Sequence, residues 1–198
     1  MKINYILIFI IFYGCSSFNK NCINNNLTKN INDSVAKKLS FELCEIYGFD
    51  QGIRTEGLKL ENKSIREMDS INFFRIITFI RKNGFPNEKL LGKENFSHEC
   101  VVGASFAVLL HNPQRVVKNR DIFNFLIKEV DKGNMTKEYL ALILDKYYLA
   151  KKGNNMRLFY GTQFGKPCFE DKKISDSLRK EIKLQPLKDN EYKKCNKL

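Results

Sequence analysis

Apolar residues recur along this chain every three or four positions, and the places where that rhythm breaks divide it into helices. From Ser34, a residue suited to an N-cap, Leu39, Leu43, Ile46 and Ile53 stand at spacings of three, four or their sums, which predicts an amphipathic helix to about Thr55. Ser64 and Glu67 have the spacing of a capping box and open a second predicted helix. In it Ile71, Phe73, Phe74, Ile76, Ile77, Phe79 and Ile80 leave only a narrow polar strip, so it is expected to be central and largely buried until Gly84 and Pro86 stop it. Ser97 opens a third, through Val101, Ala104, Phe106, Ala107, Val108 and Leu110, ending before Pro113. A fourth spans about Asn119 to Lys132, with Ile122, Phe123, Leu126, Ile127 and Val130 inward and Gly133 closing it. Thr136 caps a fifth that runs to about Lys152.

After Gly153 the pattern changes. Residues 156–170 carry aromatic and glycine punctuation without a helical period, which predicts a small hairpin or an ordered loop. A last short helix, about Ile174 to Lys183, precedes a basic tail over 191–198. The fold class that follows is mainly α, a single compact domain of five to six helices over residues 33–190. The 198 residues suffice for one core of ordinary size. No internal repeat and no coenzyme-binding glycine motif is present, and no cofactor is expected.

The first residues read differently. One lysine is followed by a nine-residue apolar run from Tyr5 to Tyr13, then Gly14 and Cys15. The run is about half of the roughly 20 apolar residues that a membrane span needs, and it has the form of a signal peptide. Gly14-Cys15 resembles a bacterial lipobox, in which the cysteine is acylated and becomes the new N-terminus, although Phe12 stands where leucine is more usual. Residues 1–15 are therefore read as lipoprotein signal peptide and lipobox, with Cys15 as the lipidation site, and the Asn-rich residues 16–32 as a flexible spacer. The expected location is the cell envelope, lipid-anchored and facing the periplasm, with the membrane itself as a partner. No acidic run follows Cys15 to mark export to the cell surface.

The formal charge is +12, from 34 Lys and Arg against 22 Asp and Glu. The lysines are scattered rather than gathered into the stripe that phosphate neutralisation requires, so no nucleic-acid partner is expected. Besides Cys15 there are Cys22, Cys44, Cys100, Cys168 and Cys195, an odd set whose spacing fits no disulfide framework. A Cys22–Cys195 bridge is conceivable, Cys44 and Cys100 read as buried free thiols, and the absence of any C-x-x-C pair speaks against a metal site.

Some polar residues fall on apolar faces. Asp50, four residues after Ile46 and three before Ile53, lies near the centre of the first helix's stripe, with Arg54 one turn on to pair with it. The bland reading is an ion pair that orders the core. His111 ends the apolar face of the third helix, where it serves either as an acid–base group or as a structural histidine at a helix C-terminus. His98 reads as a surface residue. Asp145 stands at the margin of the fifth helix's apolar face, where the bland reading is a solvated edge carboxylate.

Asp50-Gln51-Gly52-Ile53-Arg54, Gly84-Phe85-Pro86, His111, Asp145 and Tyr160-Gly161-Thr162-Gln163, in that order over about residues 35 to 190, resemble the bacterial family called domain of unknown function 6624. Lys146 stands where that family usually has arginine. The resemblance implies a shared helical domain and brings no activity, cofactor or substrate. Three functional expectations follow. In one, Asp50, Arg54, His111, Asp145 and Gln163 converge on a polar pocket, with Gln51 and Tyr160, that binds a small ligand or an envelope component. In another, a hydrolase or transferase uses His111 with Asp50 or Asp145 as acid–base pair and Arg54 as anion holder. A purely structural or interaction protein is the third. No nucleophile elbow, H-E-x-x-H motif or phosphate loop is present to favour an enzyme of a known type.

Overall fold

The computed structural model describes residues 20–56, 60–149 and 157–195, with side chains described from Asn32 on. The lipobox and Cys15 lie outside these residues. The described chain is mainly α: nine helices and no strand, with one isolated bridge between Cys168 and Lys193. In chain order the helices are α1 (Lys20–Gly52), α2 (Asn62–Asn83), α3 (Glu88–Leu91), α4 (Lys93–Phe96), α5 (Glu99–His111), α6 (Pro113–Lys118), α7 (Arg120–Asp131), α8 (Lys137–Leu149) and α9 (Lys172–Glu181).

The core forms where α1, α2, α5 and α8 turn their apolar stripes toward each other. Leu43 and Ile46 of α1, Phe73, Ile76, Phe79 and Ile80 of α2, Val101, Ala104 and Val108 of α5, and Leu140, Ile143 and Leu144 of α8 are all buried in one cluster. Each is worth about 1.5–3 kcal/mol of burial for the larger side chains. Between α5 and α7 the chain turns at Asn112-Pro113. Proline occupies the first position of α6, where its missing N–H has no helical partner to lose. Asn119 then caps α7, its Oδ1 accepting from the N–H groups of Asp121 and Ile122 at 3.1 and 3.2 Å.

Several boundaries differ from the sequence reading. α1 begins at Lys20, inside the stretch read as a flexible spacer and well before Ser34. Residues 20–33 contain no proline or glycine, so nothing interrupts the helix N-terminal to its buried part. α2 begins at Asn62 after Glu61, so Ser64 and Glu67 sit inside its first turns and form no cap. The helix is only half buried: Ile71 and Phe74 are 61% and 59% exposed, while polar Asn72 is buried. Ser97 ends the short α4, and α5 starts after His98. Thr136 does cap α8, its Oγ1 accepting from Tyr139 N–H at 3.1 Å.

The cysteines correct a second expectation. Cys44 is bonded to Cys100, joining α1 to α5, and Cys168 to Cys195, pinning the C-terminal segment. Neither Cys44 nor Cys100 is a free thiol, and Cys195 is not paired with Cys22. Sequence separations of 56 and 27 hid both pairs, because helix packing and not spacing brings them together. The segment read as a basic tail is tied down further by Tyr192, which is buried and donates its hydroxyl to Asp176 Oδ1 at 3.0 Å.

Candidate functional site

The last turn of α1, the C-terminus of α5 and the first half of α2 meet around Asp50. Its side chain is fully buried, and its Oδ2 lies 2.8 Å from Nδ1 of His111, 61 residues away in sequence. The same Oδ2 accepts from Nε2 of Gln51 at 2.9 Å. Arg54, one helical turn on, donates Nη1 to the Asp50 backbone carbonyl at 2.6 Å and approaches Oδ1 at 3.3 Å, without the geometry of a hydrogen bond to that oxygen. Its Nη2 donates to Asp69 on α2. The chain of contacts runs His111, Asp50, Arg54, Asp69 and spans three helices.

A carboxylate only accepts, so Asp50 directs the proton of the neutral ring to Nδ1 and leaves the lone pair on Nε2. Nε2 makes no hydrogen bond among the described residues, and the His111 side chain is 28% exposed. A histidine held this way, at the negative end of a helix, can take a proton from a bound molecule or give one to it. Arg54 is less available than its sequence position suggests. Both terminal nitrogens are engaged with protein oxygens, so it orients Asp50 and is not free to hold an anion.

Two neighbouring residues were not legible in the sequence. Asn72 lies one turn after Asp69 on the same face of α2; it is 1% exposed, and both its amide atoms lack a hydrogen-bond partner among the described residues. Arg115, on α6 just past His111, lays its guanidinium 5.6 Å from the ring centres of both Phe73 and Phe74 and donates Nε to Asn112 Oδ1 at 3.2 Å. The only sequence signal for Arg115 was its place four residues after His111, across Pro113.

Asp145, Tyr160 and Gln163 do not join this centre. Asp145 is fully buried in α8, not a solvated edge carboxylate, and its oxygens accept the N–H groups of Phe159, Tyr160 and Thr162 at 3.0, 3.0 and 3.2 Å. Burial raises its pKa, opposed by those donated hydrogen bonds. It organises the 159–162 backbone and makes no hydrogen bond to His111, which corrects the expectation of a single convergent pocket. Arg179 of α9 holds the same loop from the other side, donating to the carbonyl of Tyr160 through Nη1 and to that of Gln185 through Nε. Tyr160 and Gln163 instead line a separate cavity of about 570 Å³, together with Phe106, Tyr139 and Leu142.

Among the described residues, the side chains that come close enough to share a metal ion are Cys168, Glu170 and Cys195. The two sulfurs are bonded to each other, which leaves that trio without thiolate ligands. No described helix is long and apolar enough to cross a membrane. Compared with known proteins, the chain matches no family model, no curated protein and no solved structure.

Proposed function

We propose that this protein is a lipid-anchored domain of the cell envelope that performs acid–base chemistry on a small bound substrate at His111, as a hydrolase or transferase. One observation carries the reading. His111 is fixed through Nδ1 to a fully buried carboxylate while its Nε2 stays unengaged among the described residues. A histidine with a purely structural task gains nothing from an accessible second nitrogen, whereas a general base requires one. Asp50 orients the ring, Arg54 and Gln51 orient Asp50, and Asp69 balances Arg54. Two disulfides support an oxidising compartment, since such bonds persist in exported proteins and are rare in the cytosol. The Gly14-Cys15 lipobox and the resemblance to domain of unknown function 6624 accord with this setting.

The centre is tested without knowledge of the substrate by diethyl pyrocarbonate, which acylates an accessible imidazole nitrogen. His111 is expected to be modified in the folded protein, and Asp50→Asn to change that rate several-fold while the rate at His98 stays constant. A His111 that resists modification until the protein unfolds would overturn the acid–base reading. A screen of phosphate, carboxylate and glycosyl esters then assigns the reaction, with His111→Gln as the control that must lose any activity found. For the anchor, metabolic labelling with a clickable fatty acid is expected to mark the wild-type chain and not Cys15→Ala.

A second reading, ligand binding without chemistry, is favoured by the separate cavity beside Tyr160 and Gln163, which needs no proton transfer to be useful.

A further inference from the structure

The cavity of about 570 Å³ between α5, α8, α9 and the 160–163 loop is independent of the His111 centre, and its construction is specific. One wall is apolar and rigid. Phe106 and Tyr139 stack with ring centres 4.9 Å apart and planes inclined by 21°, and the Tyr139 hydroxyl is tied to the carbonyl of Ser105 at 2.9 Å. Ala141, Leu142 and Leu184 continue that wall. The opposite wall is the loop from Tyr160 to Gln163, held from below by the buried carboxylate of Asp145 and from the side by Arg179. Gly161 sits at φ +66°, and a Cβ there would come within 2.7 Å of Leu187, so the loop closes tightly. Two buried charged residues are spent on the shape of one short loop, as expected where a loop must keep a binding geometry without its ligand.

Arg179 supplies the decisive feature. It is only 8% exposed, it lines the cavity, and its hydrogen bonds go to two carbonyl groups. Among the described residues no carboxylate lies within ion-pair distance of its guanidinium. Buried guanidinium groups in proteins are ordinarily matched by an anion, because desolvating an unpaired charge is costly. Beside it, the backbone N–H groups of Gly161 and Gln163 make no hydrogen bond among the described residues. A buried cation without a counter-ion, lining the same cavity as a stacked aromatic pair, describes the complement of a particular molecule.

We propose that this cavity binds a small organic carboxylate with a planar apolar body, the carboxylate on Arg179 and the body against Phe106, Tyr139 and Leu142. The volume falls within the usual range for small-molecule sites, roughly 300–1,000 Å³. A guanidinium–carboxylate contact in such a place is strong and directional. Glu138 at the exposed rim disfavours a second negative group, so monoanions are preferred over dianions.

The test uses the full-length protein, cinnamate as the probe and cinnamamide, the same body without the charge, as its partner, with saturation-transfer NMR and calorimetry as readouts. Cinnamate is expected to bind roughly tenfold or more tightly than cinnamamide, as the loss of one charge-assisted contact implies. Arg179→Gln should bring the acid down to the level of the amide, and Leu142→Trp, which fills the cavity, should abolish both. His111→Gln should leave cinnamate binding unchanged, which separates this site from the acid–base centre. Equal binding of acid and amide, no binding of either, or undiminished cinnamate binding in the Leu142→Trp variant would each overturn the proposal. If Arg179→Gln does not fold, the acid-to-amide ratio on the wild type and the Leu142→Trp result decide the matter by themselves.

Discussion

At the scale of single residues, the positions that matter most are polar groups taken out of water, and each tells its role by what it touches. The Asp50 carboxylate is hydrogen-bonded to His111 and Gln51 and lies beside Arg54, so Asp50→Ala strands His111 and Gln51, removes the nearby charge from Arg54, and should cost about 2–3 kcal/mol in urea unfolding. His111→Gln removes one partly exposed partner and should cost less than about 1 kcal/mol. A reversed order would mean that His111, not Asp50, is the structural keystone. Glu129 plays a different part. Burial raises its pKa, but hydrogen bonds from Lys132 and Asn134 and from the Phe85 backbone more than offset this and hold it below the ordinary glutamate value of 4.5. Its contribution to stability is therefore present above about pH 4.5 and is lost as pH falls through its lower folded-state value. Glu129→Gln should flatten the acid limb of a stability–pH profile below that point, and an unchanged limb would assign the acid lability elsewhere. The Asp50–Arg54 pair was legible in the sequence because one helix sets its spacing. Asp69, Asn72 and Arg115 were not, because their places are fixed by how α2 and α6 lie against α1 and α5.

At the scale of elements, periodicity located the main helices well and their starts poorly. Thr136 caps as the sequence suggests, whereas Ser64 and Ser97 do not and the cap at Asn119 was not foreseen, since a capping residue is used only if tertiary packing lets the chain turn there. The short helices α3, α4 and α6 carry too few residues to show a period at all. The packing of α1 on α5 is the element-level feature that no pattern foretold. Cys44 faces Cys100 with Cα atoms 4.7 Å apart, and one turn further along both helices Tyr47 faces Gly103. A Cβ at Gly103 would meet Cε2 of Tyr47 at 2.6 Å, closer than such atoms approach. The Tyr47 ring is also held by its hydroxyl's 3.2 Å hydrogen bond to Glu99, so it cannot swing away freely. Gly103→Ala should therefore cost about 1–3 kcal/mol despite its gain in helix propensity. Replacing Cys44 and Cys100 by alanine opens a loop of 56 residues and should cost about 4 kcal/mol on a chain-entropy estimate. Thermal unfolding of the two variants checks both numbers, and a neutral Gly103→Ala would show that the two helices can separate at this point.

At the scale of the whole molecule, the long α1 changes what the anchor would do. The helix starts at Lys20, and among the residues whose side chains are described its first buried one is Ala36, so residues 20–35 form a helical arm ahead of that point. At roughly 1.5 Å per residue such an arm is about 24 Å long. With Cys15 lipidated as proposed, a flexible spacer of the same length would let the domain wander over the membrane, whereas a helix that starts five residues after Cys15 would set its distance from the lipid. Asn and Lys dominate residues 20–33, so the sequence offers little apolar surface there, and continuity with the buried part of α1 supports the helix. The arm is testable. Asn26→Pro should break the arm, lowering the helical circular-dichroism signal while leaving the midpoint of thermal unfolding and the reactivity of His111 unchanged. A lower midpoint would mean that residues 20–35 belong to the folded unit. An unchanged circular-dichroism signal would mean that the arm is not helical in solution, and a lipid on Cys15 would then hold the domain by a flexible leash.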